Sequence, residues 1–310
     1  MNDLTSTAIG LAVLAALLAW PVPVLLARAA WPQRAPATAL LLWQAVAVAG
    51  GLSMVGAPIV LGLAPLGRDV AGAASAGIRI AQAGAVPLPA TSWLLFLIGG
   101  GLAGYLLGHL VSTTARVERH RRRHSELVQL LSSPDPDNKS LLLIDDDAPV
   151  AYCLPNGLHP VTVVSRGLVE RLSPLELSAV IAHERAHAEQ RHDVVALAFR
   201  AWRSALPGFP AAALAERAVR ELVELLADDR ARRIVGDRTL ARTIVLAAGP
   251  DGRSGHRDGE ADGGVPAARV RRLLDDTAAL PVPAIAGARL LAVALVTVPT
   301  LWIVLPTLLG

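Results

Sequence analysis

The residues best equipped for chemistry lie in Ala182-His183-Glu184-Arg185-Ala186-His187, a His-Glu-x-x-His pattern. On a helix, positions i and i+4 share a face, so His183 and His187 can both reach one metal ion. Glu184, offset around the helix, can address a water at that metal and is the expected general base. A catalytic zinc needs a third protein ligand and an open position for water. The best source is Glu224-Leu225-Leu226-Ala227-Asp228, in which Glu224 can ligate while Asp228 accepts the outer N–H of a ligand histidine and fixes its tautomer. Glu221 and His192 compete with Glu224 on composition alone. A closed structural zinc site would want four protein ligands, usually including cysteine, and Cys153 is the single cysteine.

Rigid elements must hold these residues. Ser173-Pro174-Leu175-Glu176 offers an N-cap, a proline at the first helical position and a glutamate at the third, so a capping box starts a helix that is expected to run to about His192. Leu177, Val180 and Ile181 bury one face of its start. Residues 211–235 form a second expected helix, with Leu214, Ala218, Leu222, Leu225 and Leu226 on one side. Before these helices, residues 140–144 and 161–165, with a further run at 150–154, read as the strands of a small sheet. Residues 117–131 read as a charged helix ended by Ser132-Ser133-Pro134-Asp135-Pro136. Residues 249–266 are polar and glycine-rich without apolar periodicity, which predicts a mobile loop; it is a surface linker or, tethered near the site, a lid or self-cleavage segment.

The rest of the chain is too apolar for a soluble domain. Of 310 residues 53% are hydrophobic and 18% charged, and the mean hydropathy is +0.47. Residues 9–27, 38–64, 93–111 and 290–309 are nearly free of charge and long enough to cross a hydrocarbon core of roughly 30 Å, so four spans are expected. The leader before the first span carries Asp3 and no basic residue, which favours an anchor over a cleaved signal. The net charge of +3 and pI near 9.7 do not point to nucleic acid, because the arginines gather beside the spans. Arg28 and Arg34 follow the first span, Arg116, Arg119, Arg121, Arg122 and Arg123 follow the third, and Arg289 precedes the fourth. Positive-inside anchoring then places residues 112–289 in the cytosol and both termini outside a bacterial plasma membrane. Gly100, Gly104 and Gly108 lie on one face of the third span and would permit close helix packing. His109 reads as an interfacial histidine, and with no other ionisable residue in the spans a transporter is disfavoured. The single cysteine suits a cytosolic segment, with packing as its expected use.

The stretch from Leu172 through Ser173-Pro174-Leu175-Glu176-Leu177-Ser178-Ala179-Val180-Ile181 to the His183–His187 motif, followed by Arg191-His192-Asp193, resembles the core of the M56 peptidases. That is the family of the BlaR/MecR beta-lactam sensor-transducers, related to the M48 membrane proteases. The resemblance implies that the third ligand is the glutamate of a Glu-x-x-x-Asp motif, which falls on Glu224 with Asp228. It departs at Arg185, a position zincin helices usually keep uncharged. It also departs at the end of the sequence, since the sensor-transducers carry a penicillin-binding domain beyond the last span; any input is expected through the spans, residues 65–92 or a partner. The expected fold is α+β, a predominantly helical polytopic membrane protein with a zincin-like cytosolic peptidase segment and small sheet. The expected regions are residues 1–111 with three spans, 112–289 with the peptidase, and 290–310 with the fourth span. The expected function is zinc-dependent endoproteolysis of a cytosolic or membrane-proximal protein, with a BlaI-type repressor as the partner the resemblance implies. Membrane-protein quality control, or a non-catalytic zinc-binding regulator, are the alternatives.

Overall fold

A computed structural model describes residues 3–67, 69–82, 88–134, 141–154, 161–248, 264–275 and 279–309. Among these residues four helical stretches are long and apolar enough to cross a membrane: Leu4–Arg28, Pro36–Leu63, Ala90–Val128 and Val282–Leu301. The first is two helices, α1 (Asp3–Ala19) and α2 (Pro21–Arg28). The apolar run over residues 9–27 predicts one uninterrupted span there; the break falls at Trp20, because Pro21 has no N–H to continue the ladder and its ring crowds the preceding turn. After a short 3-10 turn (Trp31–Gln33) comes α3 (Pro36–Leu63), the second span. Residues 65–92 are not only a loop, since α4 (Val70–Gln82) lies within them. The third span is the first part of α5 (Ala90–Leu131), a 42-residue helix. At 1.5 Å per residue it is roughly 63 Å long, about twice a hydrocarbon core, so its arginine-rich second half projects beyond the span.

The helix ends at Leu131, as the run of turn formers predicts, but Ser132–Pro134 then pairs as strand β1 rather than remaining a turn. It joins β2 (Leu141–Ile144), β3 (Ala151–Leu154) and β4 (Val161–Ser165) in a sheet of order β1-β2-β4-β3. The β2–β4 pair is parallel, with Leu142 opposite Val163, and the other two pairs are antiparallel. Ser165 closes the sheet onto the next turn: its hydroxyl accepts from the backbone N–H of Val150 and Leu168 and donates to the carbonyl of Ala148. The short α6 (Arg166–Val169) follows, and then α7 (Pro174–Glu189). Ser173 caps α7 with the expected box, its backbone N–H and hydroxyl both donating to Glu176 Oε2 at 2.8 Å.

α7 stops at Glu189, short of the expected His192, because Arg191 takes up a left-handed conformation with φ of 51° and the chain restarts as α8 (His192–Ala205). Then come α9 (Pro210–Val235), α10 (Asp237–Ala248), α11 (Gly264–Leu274) and α12 (Val282–Leu309), which contains the fourth span and begins earlier than the apolar run suggests. The predicted mobile loop lies mostly outside the described residues; its end, from Gly264, is the start of α11.

Helix α9 is buried on two sides, and this places the site. One side, with Val219, Leu222 and Val223, shares a core with Leu18, Leu26, Trp43 and Val46 of the first two spans, Phe199 of α8 and Ala292 of α12. The other side packs on α7, with Ala231 and Ala179 meeting Leu240 of α10 and Leu273 of α11. α7 in turn covers the sheet and α6 through Leu177, Val180 and Ile181, which pack with Leu141 and Val164 of the sheet and Leu168 of α6. At the opposite end of the spans, α4 packs Ala73 against Leu4, Leu11 and Val60. A Cβ at Gly100, Gly104 or Gly108 would meet nothing within 4 Å among the described residues; close approach occurs instead at Gly99, where a Cβ would stand 2.6 Å from Ile59. His109 sits at the junction of span and peptidase, its Nδ1 3.3 Å from the Ser204 hydroxyl, one turn from Tyr105, which donates to the carbonyl of Ala205 at 2.8 Å.

Candidate metal centre

Antiparallel packing of α7 on α9 brings His183, His187 and Glu224 together, with one ligand atom from each all within 4.8 Å of one another. The pairwise separations are 3.2 Å between the two Nε2 atoms, 3.4 Å from His183 Nε2 to Glu224 Oε2, and 3.5 Å from His187 Nε2 to Glu224 Oε1. Ligand atoms about 2.0–2.1 Å from a tetrahedral zinc stand roughly 3.3–3.4 Å apart, and the two imidazole nitrogens and the Glu224 carboxylate, which meets each histidine through a different oxygen, approach one another at that spacing. Nitrogen and carboxylate donors are also the set that zinc takes. The residues therefore fit the ion.

Each ligand has an orienting neighbour. Asp228, fully buried, sits 3.0 Å from His183 Nδ1, which leaves Nε2 as the ligating nitrogen. His187 Nδ1 faces His192 Nδ1 at 3.3 Å, and His192 Nε2 lies 2.9 Å from Gln190 Oε1. One proton arrangement satisfies that chain. The His187 Nδ1–H donates to His192, whose Nε2–H donates to Gln190, leaving His187 Nε2 with a lone pair for metal. It requires neutral His192, and burial does lower the pKa of this imidazole. His192 is outside the His183–His187–Glu224 group and stands behind His187, where the turn at Arg191 delivers it. Glu221 is also separated from the centre: it accepts from Gln33 Nε2 at 3.2 Å on another face of α9. Glu184 is buried on α7 next to the two histidines, and Arg185 is exposed.

Arg269 of α11 is the residue that sequence reasoning missed. Its Nε and Nη2 donate to the two carboxylate oxygens of Asp228 at 2.7 and 2.6 Å, and Nη1 donates to Glu224 Oε2 at 2.9 Å. The side chain is 11% exposed. A signal existed in Pro266-Ala267-Ala268-Arg269-Val270-Arg271-Arg272-Leu273, a proline followed by helix formers with apolar spacing. The adjoining glycine-rich run concealed it.

The charges are mutually dependent. Burial opposes the imidazolium form of His183, but hydrogen bonds to Asp228 and Glu224 outweigh it and the pKa is pushed up to about 9. Burial likewise opposes ionised Glu224, yet its bond to His183 and the nearby positive charges hold it well below the usual carboxylate range. Asp228 is lowered against its burial by His183 and Arg269 in the same way. Outside the centre, Cys153 lies on the edge strand β3, and burial raises its thiol pKa.

The model of peptidase family M48 matches residues 114–238, which span the projecting half of α5, the sheet and α6 to α9, with both halves of the centre. This supports a zincin-like metallopeptidase, without singling out the M56 sensor-transducers. No curated protein and no solved structure matches the chain.

Proposed function

We infer that this metallopeptidase is a membrane-embedded zinc endopeptidase acting on membrane-proximal protein segments, with the peptidase elements in the cytosol. The observation that supports the zinc reading is the convergence of His183, His187 and the Glu224 carboxylate, with contacts of 3.2 to 3.5 Å between them, a donor set of the kind catalytic zinc takes. Zinc, when bound, supplies a Lewis acid that polarises a scissile carbonyl and acidifies water. The chain's own residues do the rest. Glu184, buried beside the ligands and not one of the three, takes the proton from attacking water and passes it to the leaving amine. Asp228 and His192 hold the two imidazoles in the ligating tautomers, and Arg269 holds the Glu224 and Asp228 carboxylates in register.

Packing supports a membrane-proximal substrate. Val223 belongs to the core shared with the spans and Glu224 is the next residue, so the centre lies against the inner end of the membrane bundle. This, with the match to M48, favours membrane-protein quality control; cleavage of a BlaI-type repressor is the second reading, which rests on the resemblance around Leu172–His187. The test is proteolysis by the purified, zinc-loaded chain and its Glu184→Gln variant. A misfolded membrane protein and a soluble repressor of the BlaI type would be offered side by side. We expect cleavage of the first, loss with Glu184→Gln and unchanged zinc content in that variant. Equal cleavage by Glu184→Gln would overturn the mechanism, and cleavage of the repressor alone would overturn the substrate assignment.

A further inference from the structure

Where α3 and α12 approach α9, the structure has a cavity of about 360 Å³ with four arginines on its wall: Arg34, Arg230, Arg233 and Arg289. The one carboxylate lining it, Asp229, is already engaged by Arg272 at 2.9 Å. Arg230 reaches Glu189 only at 3.8 Å, and Arg289 Nε donates to the Thr38 hydroxyl at 3.3 Å. Arg34 and Arg233 make no ion pair among the described residues. Four guanidinium groups around a cavity repel one another, which is costly unless an anion shares them, and the guanidinium fork suits phosphate oxygens.

A second groove of about 430 Å³ adjoins this cavity, with Ile285 and Arg289 on the walls of both. It is otherwise apolar and runs along α12 from Val282 to Val293, roughly 16 Å of a membrane-spanning helix. A basic cavity at the end of the spans that opens into an apolar groove along one of them has the polarity of a phospholipid, with headgroup at one end and acyl chain at the other. We propose that these joined cavities bind one anionic phospholipid, its phosphate held by Arg34, Arg233 and Arg289 and one acyl chain laid along α12. The proposal uses the membrane placement of α3 and α12 but not the peptidase chemistry. The headgroup end lies directly behind the metal ligands, since Gln190 lines the cavity and also meets His192, and Asp229 follows Asp228.

The test titrates dioleoylphosphatidylglycerol and dioleoylphosphatidylcholine into the full chain in nonionic detergent and counts retained lipid by native mass spectrometry. The Glu184→Gln background excludes self-cleavage and keeps the result separate from the proteolysis assay. We expect one tightly retained phosphatidylglycerol per chain and none of phosphatidylcholine. The double variant Arg233→Gln/Arg289→Gln should bind roughly 30-fold more weakly, given the usual contribution of each basic residue toward anionic lipid. A control pair that removes the same charge from the exposed face of α5, Arg122→Gln/Arg123→Gln, should bind as the parent does. Zinc content equal to that of the parent verifies that the double variant is folded. Equal retention of the two lipids, or equal loss in the control pair, would overturn the site. Displacement of the lipid by inorganic phosphate at matched concentration would show a free-phosphate site and overturn the lipid assignment.

Discussion

Replacing Arg269 by methionine isolates what its charge does, because methionine keeps most of the buried stem while removing the guanidinium. Asp228, at 1% exposure, and Glu224, at 16%, then lose a partner that donates three hydrogen bonds of 2.6 to 2.9 Å. Breaking a buried charge pair from one side costs about 3–5 kcal/mol. His183 remains beside both carboxylates, so the lower end, about 3 kcal/mol, is the expected loss. At about 2–4 °C per kcal/mol for chains somewhat shorter than this one, Tm should fall by roughly 6–12 °C. The assay is thermal unfolding in detergent after EDTA treatment, repeated with saturating zinc. The divalent ion neutralises the same carboxylates, so the deficit should shrink when zinc is present. Arg166→Met is the comparison, since Arg166 contacts three carboxylates, those of Asp145, Asp147 and Glu170, but is half exposed. Solvent screens those pairs, and no resolvable change in Tm is expected there. If the two variants lose equal stability, or the Arg269→Met deficit is as large with zinc as without it, burial and charge are not what Arg269 contributes.

Three other predictions concern the centre and the topology. His183 has a folded pKa raised from 6.5 to about 9, so in the EDTA-treated protein its contribution to stability is complete below about 6.5 and lost as pH rises through about 9. Zinc affinity should rise across that same window as the proton leaves, by up to about tenfold per pH unit, and a pH-independent affinity measured against a chromophoric chelator would refute it. Glu224→Ala should strip zinc from the purified protein while Glu221→Ala keeps it; the reverse outcome would assign the third ligand to Glu221 after all. A reporter fused after Gly310 should be active only as an exported domain, whereas cytosolic activity there would refute the proposed orientation of the four spans.

Sequence alone located the start of the helix that carries His183 and His187. The capping box at Ser173 and Glu176 and the i,i+4 histidines are local features, decided by backbone hydrogen bonding and helical period within a few residues. The four apolar stretches were legible for the same kind of reason, since a run long enough to cross hydrocarbon needs no partner to be recognised. Boundaries were less legible. The break at Trp20 depended on Pro21, and the stop before His192 depended on one left-handed residue, Arg191, whose conformation its own side chain does not predict.

The choice among Glu224, Glu221 and His192 had no local solution, because all three are polar residues near the right motifs. Only the packing of α9 between the spans and α7 turns Glu224 toward the histidines, sends Glu221 toward Gln33, and leaves His192 behind His187. Arg269 was still further from view, 41 residues beyond Asp228 and next to a stretch with no periodic pattern. What the sequence by itself determined is the chemistry available, two imidazoles and a carboxylate on one helix, and four apolar stretches long enough to cross a membrane. The tertiary structure decided which carboxylate stands beside the two histidines and which cation pairs with it. Those are relations across tens of residues, set by the burial of apolar faces on both sides of α9 rather than by any short-range preference of the chain.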